Sequence, residues 1–222
     1  MRAREQLIGA VVLVVATYFG VLRIAEAKCD AAVGSLGVLL DEHRPDELAA
    51  FQRLQRQLLT LGQEDLSTRL EALRQKKELW IAPGLGPDRW AAYVESLGLV
   101  RRIYIRRVAL LNPRAHLYPQ GAPEVPADFQ TAFAWLSLAG AMRHELAHRD
   151  GAIEEAGAYE AELAWYNEVQ RSPFVTGLDG EARAAWDWAS ESAIRSARKA
   201  ARQAGAALNP QAAHPTETGT PP

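Results

Sequence analysis

Apolar residues recur every three or four positions along most of this chain, and that period predicts a mainly helical fold with a minor β part. From Asp46 to Lys77, Leu48, Phe51, Leu54, Leu58 and Leu61 keep the helical spacing. Gly62-Gln63 interrupts it, and Leu66, Leu70 and Leu73 resume it, which predicts an amphipathic helical hairpin or stalk. Pro83-Gly84-Leu85-Gly86-Pro87 reads as a turn, and a short helix is expected over Asp88–Leu97. Arg101–Leu110 is the best strand, with β-prone Ile103, Ile105 and Val108. A proline-rich loop from Asn112 to Pro126 leads into a helix over Phe129–Arg149. Asp128 is its expected N-cap, and Trp135, Leu138, Ala139, Met142 and Leu146 its core face. Gly151 should stop that helix, and a second follows over Ala152–Tyr166. A last helix carries Trp186 and Trp188 and ends in Arg195, Arg198, Lys199 and Arg202, a solvated face or a contact for anionic lipid headgroups.

The first residues break this pattern. Arg2 and Arg4 precede an uncharged, largely apolar run, Leu7–Leu22, closed by Arg23. Residues 1–28 are therefore expected to be a signal peptide or a membrane anchor, with Ala25-Glu26-Ala27 fitting a cleavage point near Ala27. The basic start places the rest of the chain on the non-cytoplasmic side, anchored there or exported. Residues 29–205 are long enough for one domain with its own core, and 206–222, rich in proline, are expected to be a disordered tail. A net charge of −2 gives no reason to expect nucleic acid as a partner. Cys29, the single cysteine, has no partner within the chain, which leaves a free thiol or pairing with another chain.

The chemistry lies in His144-Glu145-Leu146-Ala147-His148. On a helix the two imidazoles share one face and can reach one metal ion, and Glu145 can serve as general base toward a water activated there. Ser137, Gly140 and Ala141 share the histidine stripe, and their small size leaves room for metal and substrate. Two ligands do not make a catalytic zinc site; three are expected, with the fourth position open. The helix after Gly151 offers Glu154, Glu155, Glu160 and Glu162, of which Glu155, Tyr159 and Glu162 share one face. His116 and Tyr118 in the preceding loop are candidate donors to an oxyanion.

HExxH followed by Glu155-Ala156-Gly157-Ala158-Tyr159 resembles zinc metallopeptidases of the gluzincin type. In these the third ligand is a glutamate on the following helix, in some within Glu-x-x-Ala-Asp. The resemblance covers roughly residues 129–168. It implies a zincin-like helical domain with a short β element, one Zn2+ per chain on His144, His148 and Glu155, and a peptide or protein substrate. It puts Tyr159 where that pattern has a supporting aspartate, so Tyr159 is a candidate catalytic donor facing the same cleft. Arg149 and Asp150 stand where a stricter motif has uncharged and apolar residues. The resemblance also suggests an edge strand beside the metal helix, a role for which Arg101–Leu110 is the candidate. The alternative from another class is a non-catalytic, membrane-anchored helical envelope protein that binds metal structurally or acts as an interaction module.

Overall fold

The computed structural model describes residues 2–86, 88–118, 125–152 and 154–208, with side chains from residue 11 to 205 of these. The fold is mainly helical with a small sheet. Helix α1 (Arg2–Ala32) leads through the short strand β1 (Val38–Leu39) to α2 (Pro45–Thr60) and α3 (Glu64–Gln75). Strands β2 (Leu79–Ala82), β3 (Ala91–Ser96) and β4 (Val100–Arg106) follow, then the short helices α4 (Arg107–Leu111) and α5 (Pro113–Leu117). The long helices α6 (Ala127–Arg149), α7 (Glu155–Gln170) and α9 (Gly180–Leu208) close the chain, with α8 (Pro173–Thr176) between the last two.

The hairpin α2–α3 turns at Gly62, whose φ of 71° belongs to the left-handed region. Leu54, Leu58, Leu66 and Leu70 bury the facing stripes, each worth roughly 1.5–3 kcal/mol once fully buried. The sheet runs β1-β2-β4-β3, parallel between β2 and β4 and antiparallel elsewhere. Alternation along β3 and β4 divides its two faces. Ile103, Ile105 and Ala91 join the main core with α6, while Tyr104, Ala92 and Val100 meet Ala25 and Cys29 of α1 and Val33 just beyond it.

Four expectations change. Asp88–Leu97 is not a helix; most of it is β3, closed onto β4 by the turn Ser96–Leu99, whose central residues Leu97 and Gly98 both have positive φ. That geometry is a type I′ hairpin turn with Leu in a place where Asn or Asp usually signals it. The expected strand Arg101–Leu110 ends at Arg106, because Ala109 and Leu110 turn inward as α4 while the guanidinium of Arg107 donates to Glu47 at 2.7 Å. β4 is also interior to the sheet, so the edge beside the metal helix is β3. Asp128 lies inside the first turn of α6, where its charge favours the helix dipole, and the N-cap is Pro126.

The expected boundary at residue 28 falls inside the continuous helix α1. Ala25 and Cys29 are fully buried on the sheet. Beside them the buried Arg102 pairs with Glu26 and Asp30 at 3.4 Å each, stacks on Trp80, and meets the Tyr104 hydroxyl, which donates to Asp30 at 3.0 Å. Further toward the N-terminus, Val12, Leu13, Val14 and Phe19 are exposed. Among the described residues no helix is long and apolar enough to cross a membrane; the side chains of Leu7–Ala10, the start of the apolar run, lie outside the described residues. The expected tail begins inside α9, and residues 209–222 lie outside the described residues.

Cys29 should therefore resist thiol reagents in the native full chain and react completely in urea. Ala25→Glu places a charge against the same patch, with an expected loss of roughly 1–3 kcal/mol of stability. Labelling of Cys29 in that variant under native conditions should become fast; rapid labelling of the unaltered protein would contradict the packing of α1.

Candidate metal centre

The centre starts from a helix stop. α6 ends at Asp150, and Gly151 takes φ 111°. The Gly151 amide then donates to the His148 carbonyl at 3.1 Å, and the Ala152 amide to the Ala147 carbonyl at 2.9 Å. This pair of bonds is a Schellman motif, which satisfies the last carbonyls and reverses the chain. The reversal brings the Ala152 carbonyl within 2.7 Å of His148 Nδ1. A proton on Nδ1 donates there, which leaves the Nε2 lone pair of His148 facing the cleft. The charges after the second histidine also have partners. Arg149 donates to Glu78 at 2.7 and 3.0 Å, and Asp150 accepts from Arg69, so both anchor the end of α6 to the segment running from α3 into the sheet.

α7 begins at Glu155, directly beyond this turn. Its carboxylate lies 3.1 Å from His144 Nε2 and 3.6 Å from His148 Nε2, and the two Nε2 atoms are 3.1 Å apart. The 3.1 Å contact with His144 runs to Oε2 and the 3.6 Å contact with His148 to Oε1, so the carboxylate of Glu155 faces both imidazoles. The ligand atoms of His144, His148 and Glu155 all lie within 4.8 Å of one another, a group able to hold a metal ion. Glu154 is exposed at the N-cap of α7 and Glu160 is exposed further along; neither joins the group.

Glu162 stands behind the centre. Its Oε2 is 3.4 Å from His144 Nδ1, and its Oε1 accepts from the buried Tyr166 hydroxyl at 2.8 Å. His144 Nδ1 is buried and makes no well-formed hydrogen bond in this arrangement, so the carboxylate beside it is its available orienting partner. Burial opposes protonation of His144, but Glu162, with Glu145 and Glu155, outweighs it and holds the imidazole pKa above its ordinary value. Tyr159 lines the cleft with its ring edge-on to His144, centroids 4.4 Å apart.

Gly140 was grouped with Ser137 and Ala141 as space for metal and substrate. Ser137 and Ala141 do line the cleft. Gly140 serves the layer behind it: a Cβ there would stand 2.0 Å from the Tyr166 hydroxyl and 3.0 Å from Glu162 Oε1. Tyr166 was not singled out in the sequence. Its signal was the spacing, since Glu155, Tyr159, Glu162 and Tyr166 follow one helical stripe at steps of four, three and four.

Glu145 points to the sheet. The amide of Tyr93 on β3 donates to its Oε2 at 2.6 Å. Burial pushes the Glu145 pKa up, against the pull of His144, the Tyr93 amide and His148. The Arg106 amide bonds the Trp90 carbonyl, so Trp90, Ala92 and Val94 turn their backbone groups toward β4. Ala91, Tyr93 and Glu95 turn theirs to the free edge. Ala91, Ala92 and Tyr93, the histidines, Glu145, Glu155, Tyr159 and part of α9 line one cleft of about 860 Å³. His116 and Tyr118 lie outside it. His116 is buried against Trp90 beside Arg106, and burial and that charge push its pKa down to about 4.

Gly140→Ala reports on the supporting layer with an unusual sign. In an ordinary helix interior the change gains up to about 1 kcal/mol. Here it should destabilise the fold and weaken zinc affinity by about tenfold or more, as displaced supporting partners generally do; isothermal titration and thermal melts read both effects. A gain in stability with unchanged affinity would show that the Glu162–Tyr166 pair does not support the ligands. Zinc affinity of the unaltered protein should fall as pH drops, starting above the ordinary imidazole range, because His144 must lose its proton to bind. No family model, curated protein or solved structure matches the chain.

Proposed function

We propose that the chain is a zinc-dependent hydrolase acting on a peptide bond, most simply a metallopeptidase. The observation that carries this reading is the convergence of His144, His148 and Glu155 beside a free strand edge that itself holds Glu145. Three protein ligands leave a fourth position for the reacting molecule, the mark of a catalytic rather than a closed structural zinc site. Zinc so held supplies Lewis acidity and makes water nucleophilic near neutral pH.

The chain's own groups have separate tasks. Tyr93 fixes one oxygen of Glu145 and leaves Oε1 free to take a proton from the attacking water and return it to the leaving amine. Burial around Glu145 raises its proton affinity toward the working range of a general base. The backbone groups of Ala91 and Glu95 and the carbonyl of Tyr93, whose amide is taken by Glu145, can pair with an extended polypeptide, which supports a peptide over a compact small molecule. Tyr159 lines the cleft edge-on to His144 and is suited to donate to a developing oxyanion. Arg2 and Arg4 ahead of the apolar stretch of α1 support a membrane-anchored enzyme with this cleft on the non-cytoplasmic side.

Full-length protein should bind about one zinc per chain, and His148→Ala should abolish it. Glu145→Gln should keep the metal and lose cleavage of a casein or mixed-peptide substrate by at least about a hundredfold. Activity should fall as the medium is acidified through the raised Glu145 pKa, since only the carboxylate accepts the proton. Full zinc occupancy with no hydrolysis by the unaltered protein would favour the structural-metal alternative.

A further inference from the structure

A second concavity of about 740 Å³ opens between α6 and α9 and shares Ser196 and Gln203 with the metal cleft. Its floor is aromatic: Phe133 and Trp188 are half-buried, with ring centroids 5.7 Å apart, and Tyr118 stands at one side. Its rim is cationic. Arg195, Arg198, Lys199 and Arg202 follow one stripe of α9 at steps of three, one and three, and all four are exposed. Among the described residues none of the four makes an ion pair; Arg195 reaches only the Ser192 hydroxyl, at 3.5 Å. Four cations with no ion pair among the described residues, in one groove of a chain with net charge −2, mark a local field, and the aromatic floor adds a preference for apolar groups.

We propose that this groove is a second binding site for the polypeptide substrate and takes a segment carrying both acidic and large apolar side chains. The inference rests on the metallopeptidase reading for the word substrate, and on charge complementarity and continuity with the cleft for the rest. Guanidinium groups would pair with carboxylates in bidentate fashion while Leu or Phe side chains of the ligand cover Trp188 and Phe133. An anionic membrane is the competing partner for a basic face. Two observations favour the peptide. The groove is concave and runs into the metal cleft. The apolar helix α1 packs on the sheet face opposite to the one that meets α6.

The test uses full-length protein in neutral detergent carrying Glu145→Gln, so that binding is read without turnover. The probe is a short fluorescein-labelled peptide of Glu, Leu and Phe, beside a counterpart with Lys in place of every Glu. Anisotropy should show the acidic peptide binding at least about tenfold tighter at low salt, with the difference shrinking as ionic strength rises. Adding Arg198→Gln with Arg202→Gln, both at exposed positions, should weaken the acidic peptide by about tenfold and leave zinc content and melting temperature unchanged. Equal affinity for the two peptides, or no response to the arginine changes, overturns the proposal. So does a loss of binding to phosphatidylglycerol-containing vesicles in the double variant without a loss of peptide binding. Hydrolysis by the unaltered enzyme with no arginine dependence strikes this inference alone; arginine-dependent peptide binding without any hydrolysis strikes the catalytic reading alone.

Discussion

The meeting of Glu155 with the two histidines depends on the chain reversal at Asp150-Gly151-Ala152. The Schellman bonds satisfy carbonyls that would otherwise be orphaned at the end of α6. The same turn delivers the Ala152 carbonyl to His148 Nδ1, which selects the tautomer with Nε2 free. It also starts α7 so early that Glu155, its first residue, meets both imidazoles. Six residues separate His148 from Glu155, a gap too short for anything but an immediate reversal. The ion pairs of Arg149 and Asp150 hold the outside of the turn to the rest of the domain, which gives the charged residues after the motif a structural purpose. Each half-exposed pair contributes little to stability alone, typically below about 1 kcal/mol, and its value here lies in fixing direction.

Once α7 runs back along α6, one stripe of it supplies the whole depth of the site. Glu155 stands in front, Tyr159 beside His144, Glu162 behind it and Tyr166 behind Glu162. A tyrosine hydroxyl buried so deeply needs an acceptor, and Glu162 is that acceptor. The close approach of α6 and α7 that this requires is available only because residue 140 has no side chain. A glycine in the middle of a long helix costs about 1 kcal/mol against alanine, so its presence there follows from packing rather than from helix formation.

The sequence made the metal helix, its stop and the α2–α3 hairpin legible because each is decided locally. Histidine spacing, an Ala- and Leu-rich run, and glycines at positions with positive φ act within a few residues. The face Glu155–Tyr159–Glu162 was legible for the same reason, whereas the choice among its carboxylates depended on how tightly the chain turned. β3 was not legible. Ala91-Ala92-Tyr93-Val94-Glu95-Ser96 has mixed propensity, and its extended form is imposed by pairing with β4 along six residues. Its hairpin turn hides behind Leu97 at φ 55°. β4 was recognised as a strand, but its place inside the sheet follows from the parallel pairing with β2, a contact no local pattern encodes. The N-terminal helix was read as a removable or membrane segment from its apolar half, while Ala25, Cys29 and the Arg102 network, which tie its other half to the sheet, are separated from their partners by about 70 residues.

Charge joins these parts into one centre. Glu145, Glu155 and Glu162 surround two imidazoles, so the group carries more negative than positive charge unless protons or a cation join it. Burial raises the Glu145 pKa, whereas at His144 burial acts downward and the neighbouring carboxylates, Glu162 foremost, raise it. A divalent ion held by His144, His148 and Glu155 would answer the excess without those protons, with Glu145 ionised and His144 neutral. That is the pair of protonation states a general base and a nitrogen ligand require. Metal binding at His144, His148 and Glu155 would therefore be coupled to the proton affinity of Glu145 through one local charge balance, and Glu162, 3.4 Å behind His144, would take part in it.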